Sequence, residues 1–363
     1  MPTYVLEGGG SARLPAKPLT LRLQTPGSTP VRLLGFRDGQ PDHSAITPMP
    51  GMLVLPRVDG PIEVRAVPDS GRTFGSGTVA SLSAAIELHG DPDPERAVIP
   101  SVDLSGLAQR DLVRVERVGN ELVLTAMGVV HDTPLPPLAA RARDLAREIL
   151  GLERIPDDQA RALQVVVDGS ASMRPLVGEG SVAAVVEVLV GLSRVTAGER
   201  ELTAQVASDR ARPVQVGSVE ELPRAVHDLL TDGPMATGFR IPAADSGAEV
   251  ARCVVSDGVP AGFGVPDRNA EGEGAEPMLV LLAARSAREV LAARAPRGTA
   301  FVEVGDWGAA SAYDQLLADE RMLRELVSQL LAGLLPENSS FRARVSGVAP
   351  EADADMTVLR ARY

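Results

Sequence analysis

The second half of the chain alternates between short apolar strands and amphipathic helices, and this alternation limits the folds that it can adopt. A series of this kind predicts an open, mostly parallel sheet with helices on both faces. Two of the strands follow each other too closely for a helix to connect them, so one edge of the sheet could be antiparallel. The predicted strands are 163–167, 202–207, 213–216, 252–256, 278–283 and 300–304, and the predicted helices are 181–196, 219–230, 286–294 and 311–335.

Residues 1–135 show a different pattern. Short segments of alternating apolar and polar residues are separated by Pro, Gly, Asp and Ser, and no helical period is evident. The clearest pair is 113–117 and 121–126, which predicts a hairpin. We therefore expect an all-β N-terminal domain, a β-sandwich or a small barrel. A chain of 363 residues is long enough for two domains with separate cores.

Two further segments connect or follow these domains. Residues 136–160 are predicted to be a linker that contains a helix at 138–150. The C-terminal segments 341–345 and 357–363 again alternate with a period of two. Because isolated strands bury little surface, we expect residues 336–363 to return to the β-domain and to pair there as strands.

Polar side chains stand where two of the predicted parallel strands end. Asp168, Ser170 and Ser172 follow the strand at 163–167, and Asp257 follows the strand at 252–256. Thr237 lies in the turn-rich stretch after the helix at 219–230. Carboxylate and hydroxyl oxygens are ligands for a hard divalent cation, and the carboxyl ends of parallel strands share one edge of a sheet. The sequence therefore predicts a surface metal site made of five residues.

The Asp-x-Ser-x-Ser element, with a distant Thr and a distant Asp in that order, resembles the von Willebrand factor A domain and its metal-ion-dependent adhesion site. The resemblance covers about residues 160–335 and implies a doubly wound, Rossmann-like α/β fold. It also implies that Asp168, Ser170, Ser172, Thr237 and Asp257 bind the metal. One departure is Gly-Phe-Arg-Ile-Pro after Thr237, which would delay the helix that the family has there. Thr231 is the alternative to Thr237.

The combination of an N-terminal β-domain with a domain of this kind is similar to bacterial tellurite-resistance proteins that fuse a TerD-type sandwich to a von Willebrand A domain. The stretch 99–107, which contains Ser-Val-Asp-Leu, carries the similarity within the β-domain. This resemblance implies a context for the protein and no further site residues.

Simpler explanations exist for single residues of the candidate site. Asp-Gly-Ser is often only a turn, Ser172 could cap a helix, and Asp257 could be a solvated residue at a strand end. Other known sites fit less well. Lys17 is the only lysine, so a Walker loop and a haloacid dehalogenase-type site are excluded, and the four histidines have no ligand spacing.

Composition narrows the classes of partner. The formal net charge of −12 argues against nucleic acid as the main partner, because the phosphate backbone is also negatively charged. The single cysteine, Cys253, excludes an intramolecular disulfide. Neither a leader segment nor an apolar run of membrane-spanning length is evident, so we expect a cytoplasmic protein without a membrane partner.

Two functions remain, and we expect a binding module and not an enzyme. In the first, Mg²⁺, with Ca²⁺ or Mn²⁺ as alternatives, captures an Asp or Glu side chain of a partner protein. The flanking loops 173–180, 234–241 and 259–266 would supply specificity, with Met173 and Phe263 in contact with the partner. In the alternative, a metal-dependent hydrolase uses Asp168 or Asp257 to activate water.

Overall fold

The computed structural model divides the chain into two compact units, Met1–Pro134 and Leu135–Tyr363. The residues that it describes are 3–25, 30–86, 94–127, 135–198, 200–234, 236–242, 250–261, 263, 277–304, 311–336 and 338–346.

The first unit consists of strands in two six-stranded sheets, β1-β10-β9-β3-β7-β6 and β2-β12-β11-β8-β4-β5. Within the described residues every pairing is antiparallel except that of β1 with β10. Apolar residues at every second position of both sheets form one hydrophobic core. The strands are β1 Thr3–Val5, β2 Ser11–Pro15, β3 Leu19–Gln24, β4 Val31–Arg37, β5 Gln40–Pro41, β6 Ile46–Met49, β7 Met52–Leu55, β8 Ile62–Pro68, β9 Val79–Ala85, β10 Arg96–Asp103, β11 Arg110–Val118 and β12 Glu121–Ala126.

The predicted hairpin of this unit is confirmed. β11 pairs with β12 in an antiparallel register that closes at Val118 opposite Glu121. Gly119 in the connection has φ +63°, a conformation that glycine adopts without steric cost.

The second unit contains a mostly parallel six-stranded sheet in the order β15-β14-β13-β16-β17-β18. β15 pairs antiparallel with β14 at one edge, and the other pairings are parallel. The strands are β13 Ala162–Asp168, β14 Leu202–Ala207, β15 Ala211–Pro213, β16 Val250–Ser256, β17 Met278–Ala284 and β18 Ala300–Val304. The helices are α1 Pro137–Leu150, α2 Arg174–Gly178, α3 Ser181–Thr196, α4 Leu222–Asp232, α5 Arg285–Ala292, α6 Ala312–Ala318, α7 Glu320–Leu334 and α8 Arg342–Ser346.

Both faces of this sheet are covered, as expected for strands with continuous apolar sequence. Val165 and Val167 of β13 belong to the large core that includes α3, α4 and α7. Val166, between them, belongs to a smaller cluster on the opposite face, against which Leu291 of α5 packs. The alternation predicted from sequence and the mostly parallel sheet are therefore confirmed. The antiparallel edge strand is also present, but it lies at 211–213 and not at the predicted 213–216.

One predicted helix is interrupted. The segment predicted as a single helix at 311–335 forms α6 and α7, with Asp319 between them. The Asp319 carboxylate accepts hydrogen bonds from the N–H groups of Arg321 and Met322, at 2.9 and 3.1 Å. Asp is a strong N-cap, so this side chain begins a new helix at a position where the apolar period alone would continue the old one.

The segment predicted as a linker belongs to the core of the second unit. α1 packs against α3 and α7, and its apolar residues Leu138, Ala139 and Ala142 are buried in the core of that unit. Its first N–H groups are satisfied by Glu187 of α3, whose Oε1 accepts from Leu138 and Ala139 at 2.9 and 3.3 Å. A carboxylate at a helix N-terminus is favourable, so Glu187 fixes the start of α1.

This buried carboxylate predicts a pH dependence of stability. Burial raises the pKa of Glu187 above its ordinary value of 4.5, and the hydrogen bonds from Ala139 and Leu138 oppose that rise. Because the pKa is higher in the folded state, the group stabilises the fold below pH 4.5 and loses that contribution as pH rises through the folded-state pKa. We expect the unfolding free energy of the unmodified chain, relative to Glu187→Gln, to fall above pH 4.5. Urea unfolding from pH 4 to 8 measures it, and a constant difference would contradict it.

The C-terminal segment differs from its prediction. Residues 342–346 form α8, and Val345 is buried in the core of the second unit, so the predicted strand at 341–345 on the β-domain is wrong. The Arg344 guanidinium donates to the carbonyl of Leu150 at the end of α1. Phe341 and Val345 are four residues apart and fit one turn of a helix as well as they fit a strand. The segment predicted as a strand at 357–363 lies outside the described residues.

Across the described residues, no single helix combines the length and apolar composition of a membrane span. The consecutive segments Ala171–Gly178 and Ser181–Thr196 meet both criteria only when they are counted together, and they are bent by 76°.

Candidate metal site

The candidate site lies at the carboxyl end of β13, where the strand order of the sheet reverses. β13 has β14 on one side and β16 on the other. Asp168 is the last residue of β13, and Ser256 is the last residue of β16. Open sheets of this kind bind ligands outside the carboxyl ends of the strands at such a reversal.

Gly169 allows the chain to turn tightly after Asp168. Its N–H donates to the carbonyl of Ala207 at 2.7 Å. A Cβ at this position would stand 2.9 Å from Val206 Cγ1 and 3.2 Å from the Ala207 carbonyl oxygen. Glycine is therefore needed because the loop passes directly against β14.

The Asp168 carboxylate is buried and held on both oxygens. The side chain belongs to a residue that is only 3% exposed. Oδ1 accepts the Ser170 N–H at 2.8 Å, and Oδ2 accepts the Ser256 hydroxyl at 2.7 Å. Burial raises the pKa of Asp168, and the charge of Asp257 adds to the rise, whereas the bonds from Ser170 and Ser256 oppose it. The site thus contains a desolvated carboxylate that a nearby positive charge would stabilise.

Two hydroxyl groups stand beside this carboxylate. Ser170 Oγ and Ser172 Oγ are 3.0 Å apart. Ser170 is 7% exposed, whereas Ser172 is exposed on the short 3₁₀ helix Ala171–Met173. The pair therefore has one hydroxyl at the base of the site and one open to solvent.

The segment that carries Thr237 lies against the same loop. Ala236 forms an isolated parallel bridge with Ser170, and its carbonyl accepts the Ala171 N–H at 2.9 Å. Thr237 is the next residue and is exposed. Thr231, the alternative, lies in the last turn of α4. The backbone next to Thr237 therefore contacts the loop that carries Ser170. Residues 237–242 are not helical, and the helix expected after them falls on 243–249, outside the described residues.

Asp257 follows Ser256 directly and is partly exposed. Its charge acts on Asp168. The structure thus gathers the three segments that carry Asp168, Ser170, Ser172, Thr237 and Asp257 at one edge of the sheet.

Three residues near the site have surroundings that the sequence did not predict. Ser256 was not among the candidate residues, although it directly precedes Asp257 and stands beside Asp168 because Val167 pairs with Val255. Met173, which was expected to contact a partner, is fully buried in the core. Phe263, the other expected contact, packs against the smaller apolar cluster and is partly buried.

The candidate residues of the site carry only oxygen donors. Among the described residues, no three His, Cys, Asp or Glu side chains form a group that could hold a metal ion. The candidate set consists instead of two carboxylates and three hydroxyls. Oxygen-only sets with neutral members are typical of Mg²⁺ and Ca²⁺.

The comparisons with known proteins leave the family open. No protein-family model matches the chain, and a search of curated proteins finds no significant match.

Proposed function

We propose that residues 161–335 form a von Willebrand factor A-like domain and that residues 1–135 form a β-sandwich-like domain. The strand order of the second unit, with its antiparallel edge at β15 and the polar loop after β13, supports the first part. The single core shared by two mostly antiparallel sheets supports the second. The fusion resembles that of the tellurite-resistance proteins in domain order.

We propose further that the chain is a protein-binding module that depends on a divalent cation, Mg²⁺ in the first place. The observation that carries this proposal is the 3.0 Å distance between Ser170 Oγ and Ser172 Oγ beside the buried Asp168. Mg²⁺ binds oxygen at about 2.0–2.1 Å in an octahedron, so two neighbouring ligands stand about 2.9 Å apart. The two hydroxyls share a hydrogen bond in this structure, and the same oxygen–oxygen spacing suits adjacent ligand positions of Mg²⁺.

The charge of the donor set favours capture of an acidic side chain. Asp168 and Asp257 together balance a 2+ ion, and the hydroxyls of Ser170, Ser172 and Thr237 add no charge. A bound cation would supply an electrophilic centre that can accept one further oxygen ligand, and a partner's Asp or Glu carboxylate suits it. Ser172 and Thr237 are exposed, so the open side of the site faces solvent and a partner can reach it.

The surrounding residues position these donors. Ser256 fixes the Asp168 carboxylate through its 2.7 Å hydrogen bond, and the Gly258 N–H holds the Ser256 oxygen at 3.2 Å. The Ser170 N–H fixes the other oxygen of Asp168. Asp168 therefore needs no rearrangement of its own before it can bind a cation, which lowers the entropy cost of binding.

Calorimetric titration of Mg²⁺ tests the site directly. We expect Ser170→Ala/Ser172→Ala to weaken Mg²⁺ binding at least about tenfold, because water must replace the two hydroxyl ligands that are lost. The control is Ser193→Ala/Ser328→Ala, since those two hydroxyls donate only to carbonyls of their own helices. Equal Mg²⁺ affinity in the serine-site variant and the control would refute the proposed site.

A second measurement separates binding from hydrolysis. The purified chain is incubated with Mg²⁺ and p-nitrophenyl phosphate, and with a generic peptide substrate. We expect no sustained turnover from a binding module. Turnover that requires Mg²⁺ and is lost in Asp168→Asn would favour the hydrolase over the binding function.

A further inference from the structure

Three exposed arginines stand on the loops that surround the candidate metal site. Arg174 follows the Ser170 and Ser172 loop, Arg210 lies in the turn between β14 and β15, and Arg240 lies three residues after Thr237. All three belong to connections at the carboxyl edge of the sheet, which is the edge that carries Asp168.

Backbone hydrogen bonds tie these three loops together. The Ala171 N–H donates to Ala236 at 2.9 Å, which joins the loops of Arg174 and Arg240. The Arg240 N–H donates to the Ser208 carbonyl at 3.3 Å, and the Ser208 N–H donates to the Arg210 carbonyl at 3.1 Å. The three arginines therefore have a fixed spatial relation to the serines of the site, because each loop is bonded to the next.

The guanidinium groups of these arginines are available to a partner. Across the described residues, none of the three forms an ion pair or a side-chain hydrogen bond, and all three residues are exposed. The segments 168–174, 207–212, 236–242 and 256–258 contain four arginines and three acidic residues, Asp168, Asp209 and Asp257, whereas the whole chain has a net charge of −12. A divalent cation held by Asp168 and Asp257 would balance their charge, so the metal-loaded edge would be a basic region on an acidic protein.

We infer that the partner presents a cluster of acidic residues, and that Arg174, Arg210 and Arg240 recognise the carboxylates that flank the one taken by the metal. The inference rests on the proposed metal-dependent binding function. Arginine pairs with carboxylates in a planar, two-bonded geometry, and a local positive field speeds the approach of an acidic segment. A single carboxylate on the metal offers little contact area, so the flanking pairs provide specificity.

An acidic protein segment fits this region better than a nucleic acid. Phosphate oxygens also suit Mg²⁺ and arginine. A nucleic acid, however, is a long polyanion that would extend past these loops onto a surface of net negative charge, whereas a short acidic segment meets only the loops.

Fluorescence anisotropy with labelled peptides tests the inference on the full chain. The probes are Gly-Ser-Gly-Glu-Gly-Ser-Gly and Gly-Ser-Glu-Glu-Glu-Ser-Gly, each with Mg²⁺ and with EDTA. We expect the unmodified chain to bind the three-glutamate peptide about tenfold more tightly than the one-glutamate peptide, and only with Mg²⁺. Arg174→Gln/Arg210→Gln/Arg240→Gln should lose this preference.

The control variant is Arg224→Gln/Arg294→Gln/Arg297→Gln, which removes the same charge from exposed positions at the start of α4 and before β18. Mg²⁺ calorimetry on each variant separates the two proposals. If Mg²⁺ binds normally but the test and control variants have the same peptide preference, the arginine inference fails and the metal site stands. If Mg²⁺ does not bind to the unmodified chain, both proposals fail. Tighter binding of a twelve-nucleotide single-stranded DNA than of the three-glutamate peptide would also overturn the inference.

Discussion

Asp168→Asn will abolish Mg²⁺ binding and will leave the metal-free protein at least as stable as the unmodified chain. Asn keeps the shape of the side chain, and its Oδ1 still accepts the Ser170 N–H that now lies 2.8 Å away. Its amide can donate to Ser256 Oγ, which keeps a hydrogen bond between the two side chains. Burial raises the pKa of Asp168, which shows that its negative charge is unfavourable there without a cation. The substitution therefore removes a buried charge without removing a packing contact.

Thermal and urea unfolding with increasing Mg²⁺ measure both halves of this expectation. A ligand that binds only the folded state stabilises it by about 2.7 kcal/mol at one hundred times its dissociation constant. The unmodified chain should gain stability on this scale, and Asp168→Asn should gain none. Asp209→Asn is the control, because Asp209 is exposed in the neighbouring turn and belongs to no candidate ligand set. Stabilisation of Asp168→Asn by Mg²⁺ would show that Asp168 is not a ligand.

Ser256→Ala should have an Mg²⁺ affinity between that of Asp168→Asn and that of the Asp209→Asn control. The variant keeps the Asp168 charge but removes the hydroxyl that holds Oδ2 at 2.7 Å. Loss of a residue that orients a metal ligand typically weakens binding about 10–100-fold. Mg²⁺ affinity should therefore fall without vanishing, and the same titration measures it.

The sheet and its polar edge could be predicted because they depend on local patterns. Apolar runs of strand length followed by helices determine a parallel sheet, and residues that follow two such strands must share an edge. This is why Asp168 and Asp257 could be placed together from sequence. Ser256 was missed because its role depends on the register of β13 against β16, which brings it beside Asp168 and which no local pattern shows.

The predictions fail where a short segment fits the period of a strand and that of a helix equally well. They also fail where tertiary contacts determine the position of a residue. Residues 341–345 are too short to separate a strand from one helical turn, and the contact of Val345 with the core selects the helix. Met173 lies in a loop with functional residues, yet it fills the core below them. The helix predicted at 138–150 is confirmed as a helix, but its assignment to a linker is wrong. α1 packs against α3, and this contact between distant parts of the chain cannot be seen in the local sequence.

The backbones of α1 and α3 lie close together at Gly191, and Gly191→Ala will destabilise the second unit. An added Cβ would stand 2.1 Å from the Ala139 carbonyl oxygen and 2.9 Å from its carbon. These are backbone atoms of α1, so no side-chain rotation relieves the contact and the two helices must separate. Alanine is otherwise favoured over glycine inside a helix by about 1 kcal/mol, so a net loss can come only from the contact. We expect a net loss of about 2–3 kcal/mol in unfolding free energy.

Two matched glycine substitutions make this test specific. Gly178→Ala, at the end of α2, meets nothing within 4 Å and should change stability by less than about 0.5 kcal/mol. Gly333→Ala in α7 meets Met278 Sδ at 2.4 Å, but a flexible side chain can move, so its loss should lie between the other two. Urea unfolding followed by far-UV circular dichroism measures the series. If Gly191→Ala were as stable as Gly178→Ala, α1 could shift freely on α3 and would not be an integral part of the unit that positions the Asp168 loop.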